Sequence, residues 1–330
     1  MYLGTELSKA IQATEKTQEY DNNIKFILSQ KIILAHILIG TTQEFAGMRP
    51  EEILAYIEEG PQIGNVFVEP GLTNILSKIQ GGNTEDAVPG EGSITYDVKF
   101  YAKYLGKQKK GKENKFTKLL FDIEAQKDFY PGYDLVTRGI FYAARQISAQ
   151  KGTEFEKSDY DNMKKVYSIW ICLSPPKYCE NTIMRYSFQK QSLYGRTLKG
   201  HFRYDLMEVI FINLPRAVPE EEAEPTLTGM LKTLFSPELS KETIMDRLEN
   251  IYHIPMSDEL EGGINVMCNF GEAILERGLK QGAFITLISL VQDGLLSVEE
   301  AARRVNMSEE DFIEKMESDC KDSCKAAESM

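Results

Sequence analysis

The sequence has no apolar run long enough to span a bilayer; the longest, Ile32 to Ile39, is interrupted by His36. Its first residues, MYLGTELSKAIQATEKTQEYD, lack the basic-then-apolar layout of a secretory leader. Cysteine is sparse and odd in number: five among 330 residues, at Cys172, Cys179, Cys268, Cys320 and Cys324. That count argues against a disulfide framework. Cys320 and Cys324 could share a helix face, but no second ligand pair stands nearby. His36, His201 and His253 show no ligand spacing. G-x-x-x-x-G-K-[ST], G-x-S-x-G and H-E-x-x-H are all absent, as is a G-x-G-x-x-G on a strand–helix turn. These absences exclude the common nucleotide cradles, the serine-hydrolase elbow and the zinc-protease helix. The expectation is a soluble, cytoplasmic globular protein without a membrane partner.

Positive charge is also in short supply, with 38 Lys and Arg against 50 Asp and Glu, a net charge of −12. Such a balance is awkward for a polyanion partner. Its distribution changes the reading. Residues 99–118 hold eight lysines, among them Lys99, Lys109 and Lys110, against one acid, Glu113. The negative charge sits in EEEAE at 220–224 and across 299–329. A basic patch on an acidic protein can still steer a polyanion; a solvated lysine-rich hairpin tip is the alternative.

The periodicities present define an α/β protein. Ile24, Ile27, Leu28, Leu34, Ala35 and Leu38 give a helical face over 22–45. A second helix starts at Pro50, with Glu51 and Glu52 at the positive end of its dipole, and runs to about Glu59. Residues 79–92 read as a Gly/Pro/Asn loop. Strict alternation predicts strands over 94–100 and 118–126. A helix capped by Asp134 follows over 134–149. The apolar run 166–173 suits a central strand covered on both faces, and 207–214 makes another. AVPEEEAEPTLTG (217–229) looks like a linker. Beyond 236 the pattern is helical, with a helix–turn–helix over 296–316 whose helices start at Ser297 and Ser308. The expected division is a domain at 1–215, an acidic linker at 216–236 and a helical region at 237–330.

In the first domain, Asp97 on one strand and D-x-E-x-Q (Asp122, Glu124, Gln126) on the next share a polar face. Neighbouring strands lie about 4.8 Å apart, so Asp97 and Glu124 can meet. Two carboxylates so close repel unless a cation separates them, and Mg²⁺ binds through a few carboxylates with positions left for water and phosphate. Gln126 could orient water but cannot act as a base. Solvent-facing strand residues would give the same letters. Arg138, Tyr142 and Arg145 fall at i, i+4 and i+7 on the following helix, a face suited to phosphate.

Three blocks carry a resemblance: GGNTEDAVPGEGSITYDVKF, LLFDIEAQKDFYPGYDLVTRGIFYAARQISAQKGTEF and SDYDNMKKVYSIWICL. Together they resemble the transposase-like branch of the PD-(D/E)XK nucleases, related to the recombination-promoting nucleases of mobile elements, over roughly residues 20–215. The resemblance implies a restriction-endonuclease-like α/β/α core that cuts DNA with Mg²⁺ or Mn²⁺. It makes Asp97 and Glu124 metal ligands, with the main-chain carbonyl of Ala125 as a further one. Gln126 stands where the motif has lysine; Lys127 would point to the other face. Glu44 is the first candidate for the acid of the first core helix, and Asp21 the second. Arg138, Tyr142, Lys99, Lys109 and Lys110 would hold the DNA backbone. The acidic C-terminal helices suit homodimerisation better than DNA. A nuclease-fold protein that only binds DNA or a protein partner is the alternative.

Overall fold

Eight consecutive buried residues, Lys165–Cys172 (KVYSIWIC), form the central strand of the sheet. An apolar run of this kind demands cover on both faces. The computed structural model describes residues 18–57, 85–88, 92–105, 116–195, 200, 202–219, 225–305, 307–314 and 316; for 85–88, 92–95 and 270–281 it describes the backbone alone.

In chain order the strands are β1 (Glu85–Val88), β2 (Gly92–Thr95), β3 (Val98–Leu105), β4 (Phe116–Gln126), β5 (Lys165–Cys172), β6 (Thr182–Ser187) and β7 (Met207–Asn213). The helices are α1 (residues 18–28), α2 (Lys31–Thr41), α3 (Pro50–Leu54), α4 (Leu135–Ser148), α5 (Leu227–Leu234), α6 (Lys241–Asn250), α7 (Asp258–Gln292) and α8 (Val298–Arg304). β1 and β2 pair as an antiparallel hairpin. The main sheet has five strands in the order β3-β4-β5-β7-β6. Its centre, β4-β5-β7, is parallel, and both edges, β3 and β6, are antiparallel.

Alternate residues of each strand enter different layers. Phe121, Ile123, Tyr167, Ile169, Ile210 and Ile212 pack with Ile27 and Leu28 of α1, Leu34 and Leu38 of α2, Leu231 of α5 and Leu248 of α6. Leu120, Val166, Trp170, Val209 and Phe211 pack on the opposite face with Leu135, Tyr142 and Ala143 of α4. The protein is therefore mixed α/β, an open sheet with helices on both faces. Two compact units divide the chain between Cys268 and Asn269. In the second, Leu287, Ile288, Ala301, Ala302 and Phe312 form a separate small core. Ser297 accepts from the Glu300 amide and Ser308 from the Asp311 amide, as the two capping patterns require. Among the described residues, no helix is long and apolar enough to cross a membrane.

Several elements differ from the sequence expectation. The 22–45 helix is interrupted at Ser29 and Gln30, between α1 and α2. The Pro50 helix ends at Leu54, because Ile57 turns away to bridge Ala102 of β3. The 79–92 loop contains β1. The 94–100 strand breaks at Tyr96 and Asp97, since the Asp97 amide donates to a side chain rather than to a ladder partner. β6 has mostly exposed residues on both faces, so no buried periodicity marked it. The unit division falls later than 216–236, because Met230, Leu231 and Leu234 of α5 belong to the first unit's core.

α4 approaches the sheet through Gly139. A Cβ there would lie 2.7 Å from Val209 Cγ1 and 3.1 Å from Trp170 Nε1. Gly139→Val should therefore lower unfolding stability by roughly 1–3 kcal/mol, read as a lower urea midpoint; an unchanged midpoint would show that α4 can lift at no expense.

Candidate functional site

The polar face expected on β4 is not solvated, because α4 covers it. Asp122 is fully buried and Glu124 nearly so. Asp122 accepts from Ser168 Oγ at 2.7 Å and from the Gln146 side-chain amide, and Trp170 Nε1 donates to Ser168 Oγ at 2.9 Å. Burial nonetheless pushes the Asp122 carboxyl up to about 7.

Glu124 and Asp97 meet one step beyond the Val98↔Ile123 pair of the antiparallel β3–β4 ladder. The Asp97 amide donates to Glu124 Oε1 at 3.0 Å, and the Ala125 amide donates to Asp97 Oδ2 at 3.1 Å. This reciprocal pair explains the break between β2 and β3. Burial, then the charges of Asp97 and Asp122, raise the Glu124 pKa well above the ordinary range; the Asp97 amide and Arg138 oppose the rise. Asp97 Oδ1 is held by Lys25 Nζ of α1 at 2.8 Å.

These residues open into a cavity of about 350 Å³ at the C-terminal end of β4. Asp21, Lys25, Asp97, Glu124 and Arg138 line it, together with the β4 exit Ala125–Asp128. Arg138 is aimed by its neighbours: it donates to Tyr133 Oη and Tyr142 Oη, each at 2.8 Å, and lies over the Trp170 ring. Gln126 donates its amide to the Asp128 carbonyl at 2.5 Å. Lys127 follows the last strand residue, so alternation no longer governs it. Its ammonium lies 2.5 Å from Asp21 Oδ1 and over the Tyr20 ring.

Of the residues singled out by sequence, Asp97, Glu124, Ala125, Gln126 and Arg138 come together here. Glu44 does not. It bonds Tyr167 Oη and Lys165 Nζ, in an ionic group that joins the buried Lys165 and Glu208 to the exposed Arg185. That group lies at the start of β5, away from the cavity. Asp21 takes the position sought for Glu44. Tyr142 is buried, with its hydroxyl accepting from Arg138, so it positions that arginine rather than reaching a phosphate itself. Arg145 is buried too. Lys99 lies over the Tyr96 ring. Lys109 and Lys110 fall outside the described residues. Sequence reading missed Lys25, although Asp21 and Lys25 stand at i and i+4, the spacing that puts two side chains on one helical face. It missed the buried Asp122–Ser168–Gln146 set because nothing local shows that a helix covers that face.

The raised Asp122 carboxyl fixes a pH dependence. Between pH 4 and 7 the unfolded chain is already ionised there while the folded chain retains its proton, so stability falls as pH rises. Asp122→Asn keeps the hydrogen bond from Ser168 without that loss. Its stability advantage over the wild type should grow from near zero at pH 4 to the order of 4 kcal/mol above pH 7, at about 1.4 kcal/mol per unit. Urea unfolding across this range measures it, and parallel curves would contradict it.

No protein-family model, curated protein or solved structure matches the chain, so the geometry of the cavity is the ground for its function.

Proposed function

We propose that the chain is a Mg²⁺- or Mn²⁺-dependent DNA endonuclease with a restriction-endonuclease-like core of the PD-(D/E)XK type, belonging to a mobile or recombining element. The observation that carries the reading is the meeting of Asp97 and Glu124, from adjacent strands, at a cavity whose other charged residues are Asp21, Asp128, Lys25, Lys127 and Arg138. Acids able to hold a cation face bases able to hold a phosphate.

The fit to a metal follows from the donor set. Among the described residues there is no group of three or more His, Cys, Asp or Glu arranged as a metal cage. Zinc and calcium cages are therefore poor candidates, whereas Mg²⁺ binds through one or two carboxylates and keeps its waters. Lys25 brings positive charge to Asp97 at 2.8 Å, the side on which a cation would also be held. Asp97 and Glu124 would be the ligands. A bound divalent ion would supply an acidified water and charge neutralisation at the phosphate.

The remaining roles belong to the chain. Arg138, held in aim by Tyr133 and Tyr142, binds the scissile phosphate. Lys25 and Lys127 add positive charge on the facing wall. Gln126, whose amide is engaged by Asp128, offers its carbonyl to orient water. Water adds to phosphorus in line, the P–O bond to the leaving sugar oxygen breaks, and that oxygen takes a proton.

One observation favours a second reading, a nuclease-fold module that binds without cutting. Both Asp97 oxygens already have partners, Lys25 and the Ala125 amide. Plasmid nicking with Mg²⁺ or Mn²⁺ separates the two. The wild type should nick, and Asp97→Ala and Glu124→Ala should each lose about 100-fold or more. Mn²⁺ binding followed by calorimetry should weaken in the same variants. Cleavage surviving both substitutions would sink the nuclease reading, and a wild type that binds DNA without nicking it would support the module. Gln126→Lys gaining activity would identify the glutamine as the limit on rate. Lys127→Ala should lower cleavage about tenfold if that lysine serves the phosphate; unchanged cleavage would remove it from the site.

A further inference from the structure

Two loops leave the sheet at the cavity end, one after β4 and one after β5. Gln126 and Cys172, the last residues of those strands, are register partners, and the Leu173 amide donates to the Gln126 carbonyl, so the loops start side by side. Each presents a large ring to solvent: Tyr130 is 65% exposed and Tyr178 76%. Their hydroxyls meet at 3.1 Å, which joins the two loops tip to tip. Local contacts hold both rings in place. Asp128 Oδ1 accepts the Tyr130 amide at 2.9 Å, and Tyr130 packs edge-on against Phe129, itself anchored in the core under α4. On the other loop Pro175 is buried, and the Cys179 amide closes the turn of Tyr178 on the Pro176 carbonyl.

The rings stand at the mouth of the candidate site. Asp128 lines the cavity, and Tyr130 lies two residues further on, a step of at most ~7 Å. That is about two nucleotide rises at ~3.4 Å each. Arg138, the group assigned to the scissile phosphate, lines the same cavity, and Lys177, the neighbour of Tyr178, is exposed. Open aromatic faces adjoining cations are the features by which proteins stack unpaired bases and neutralise their phosphates. A base inside a duplex has its faces covered by its neighbours, so these rings suit a strand that is unpaired beside the cut.

We propose that Tyr130 and Tyr178 form a stacking rim for an unpaired base within two nucleotides of the scissile phosphate, with Lys177 on a neighbouring phosphate. The favoured substrate is then a single strand, or a duplex frayed, flapped or gapped at the point of cutting. The cut that the rim serves rests on the nuclease reading; the stacking rests on the two rings. A peptide partner fits less well, because the exposed loop neighbours Asp128, Gly132, Ser174 and Lys177 leave the rings without an apolar groove around them.

The test uses the full chain in EDTA, where no divalent ion supports cleavage, with fluorescence anisotropy of two labelled probes: a 20-nucleotide oligo-dT and an abasic strand with the same number of phosphates. The wild type should bind oligo-dT about tenfold or more tighter than the abasic strand. Tyr130→Ala/Tyr178→Ala should cut that preference to about twofold or less while leaving abasic affinity unchanged, which also shows that the fold is intact. Tyr130→Phe/Tyr178→Phe keeps the rings, loses the contact between hydroxyls and should retain the preference. Lys177→Gln should lower the slope of log affinity against log salt by ~0.7; an unchanged slope would remove that lysine from the rim. Equal binding of both probes by the wild type would overturn the stacking, as would binding of neither. So would a preference that survives in the alanine pair or vanishes in the phenylalanine pair. A chain that never nicks DNA yet shows the ring-dependent preference keeps the rim and loses the nuclease. One that nicks but binds both probes alike keeps the nuclease and loses the rim.

Discussion

Asp97 gives its main-chain N–H to Glu124 and takes the Ala125 N–H on its own carboxylate. This exchange ends one strand and starts the next, closes the edge of the sheet over β4 and draws two acids to one point. Everything else in the cavity is arranged around the charge so gathered. Lys25 reaches Asp97 from α1, and Arg138 approaches from α4 with Tyr133 and Tyr142 holding its guanidinium. Burial makes the gathering costly, which is why Glu124 resists ionisation and why a cation in the cavity would relieve it.

The parts of the fold legible from sequence are those that local rules determine. β5 was legible because a strand covered on both faces must be apolar throughout, and α4 because Asp134 caps it and accepts from the Thr137 amide. The meeting of Asp97 and Glu124 followed from alternation on two neighbouring strands. What was not legible depends on distant partners. Tyr96 continued the alternation in letters, yet the chain bends there for a carboxylate 27 residues away. Glu44 looked available, but Tyr167 and Lys165 claim it from 123 and 121 residues away. Lys127 looked misdirected only because the strand was taken to continue past Gln126.

Acid and base are sorted within one unit in a way that net charge hides. The cavity gathers Asp21, Asp97, Asp128 and Glu124, of which Glu124 holds its proton well above the ordinary range, while residues 181–204 carry cations with no carboxylate at all. An acidic protein can thus meet a polyanion without a uniformly basic surface, since what acts on a strand within a Debye length of about 10 Å is the nearest charge.

The ionic group of Glu44, Lys165, Glu208 and Arg185 ties the turn after α2 to β5, β6 and β7 at the end of the sheet remote from the cavity. Such a clasp is least tolerant of losing Lys165, since Glu208 beside it is nearly fully buried and charged. None of its four members lines the cavity. Side chains at the cavity mouth can therefore change without loosening the fastening at the far end of the sheet.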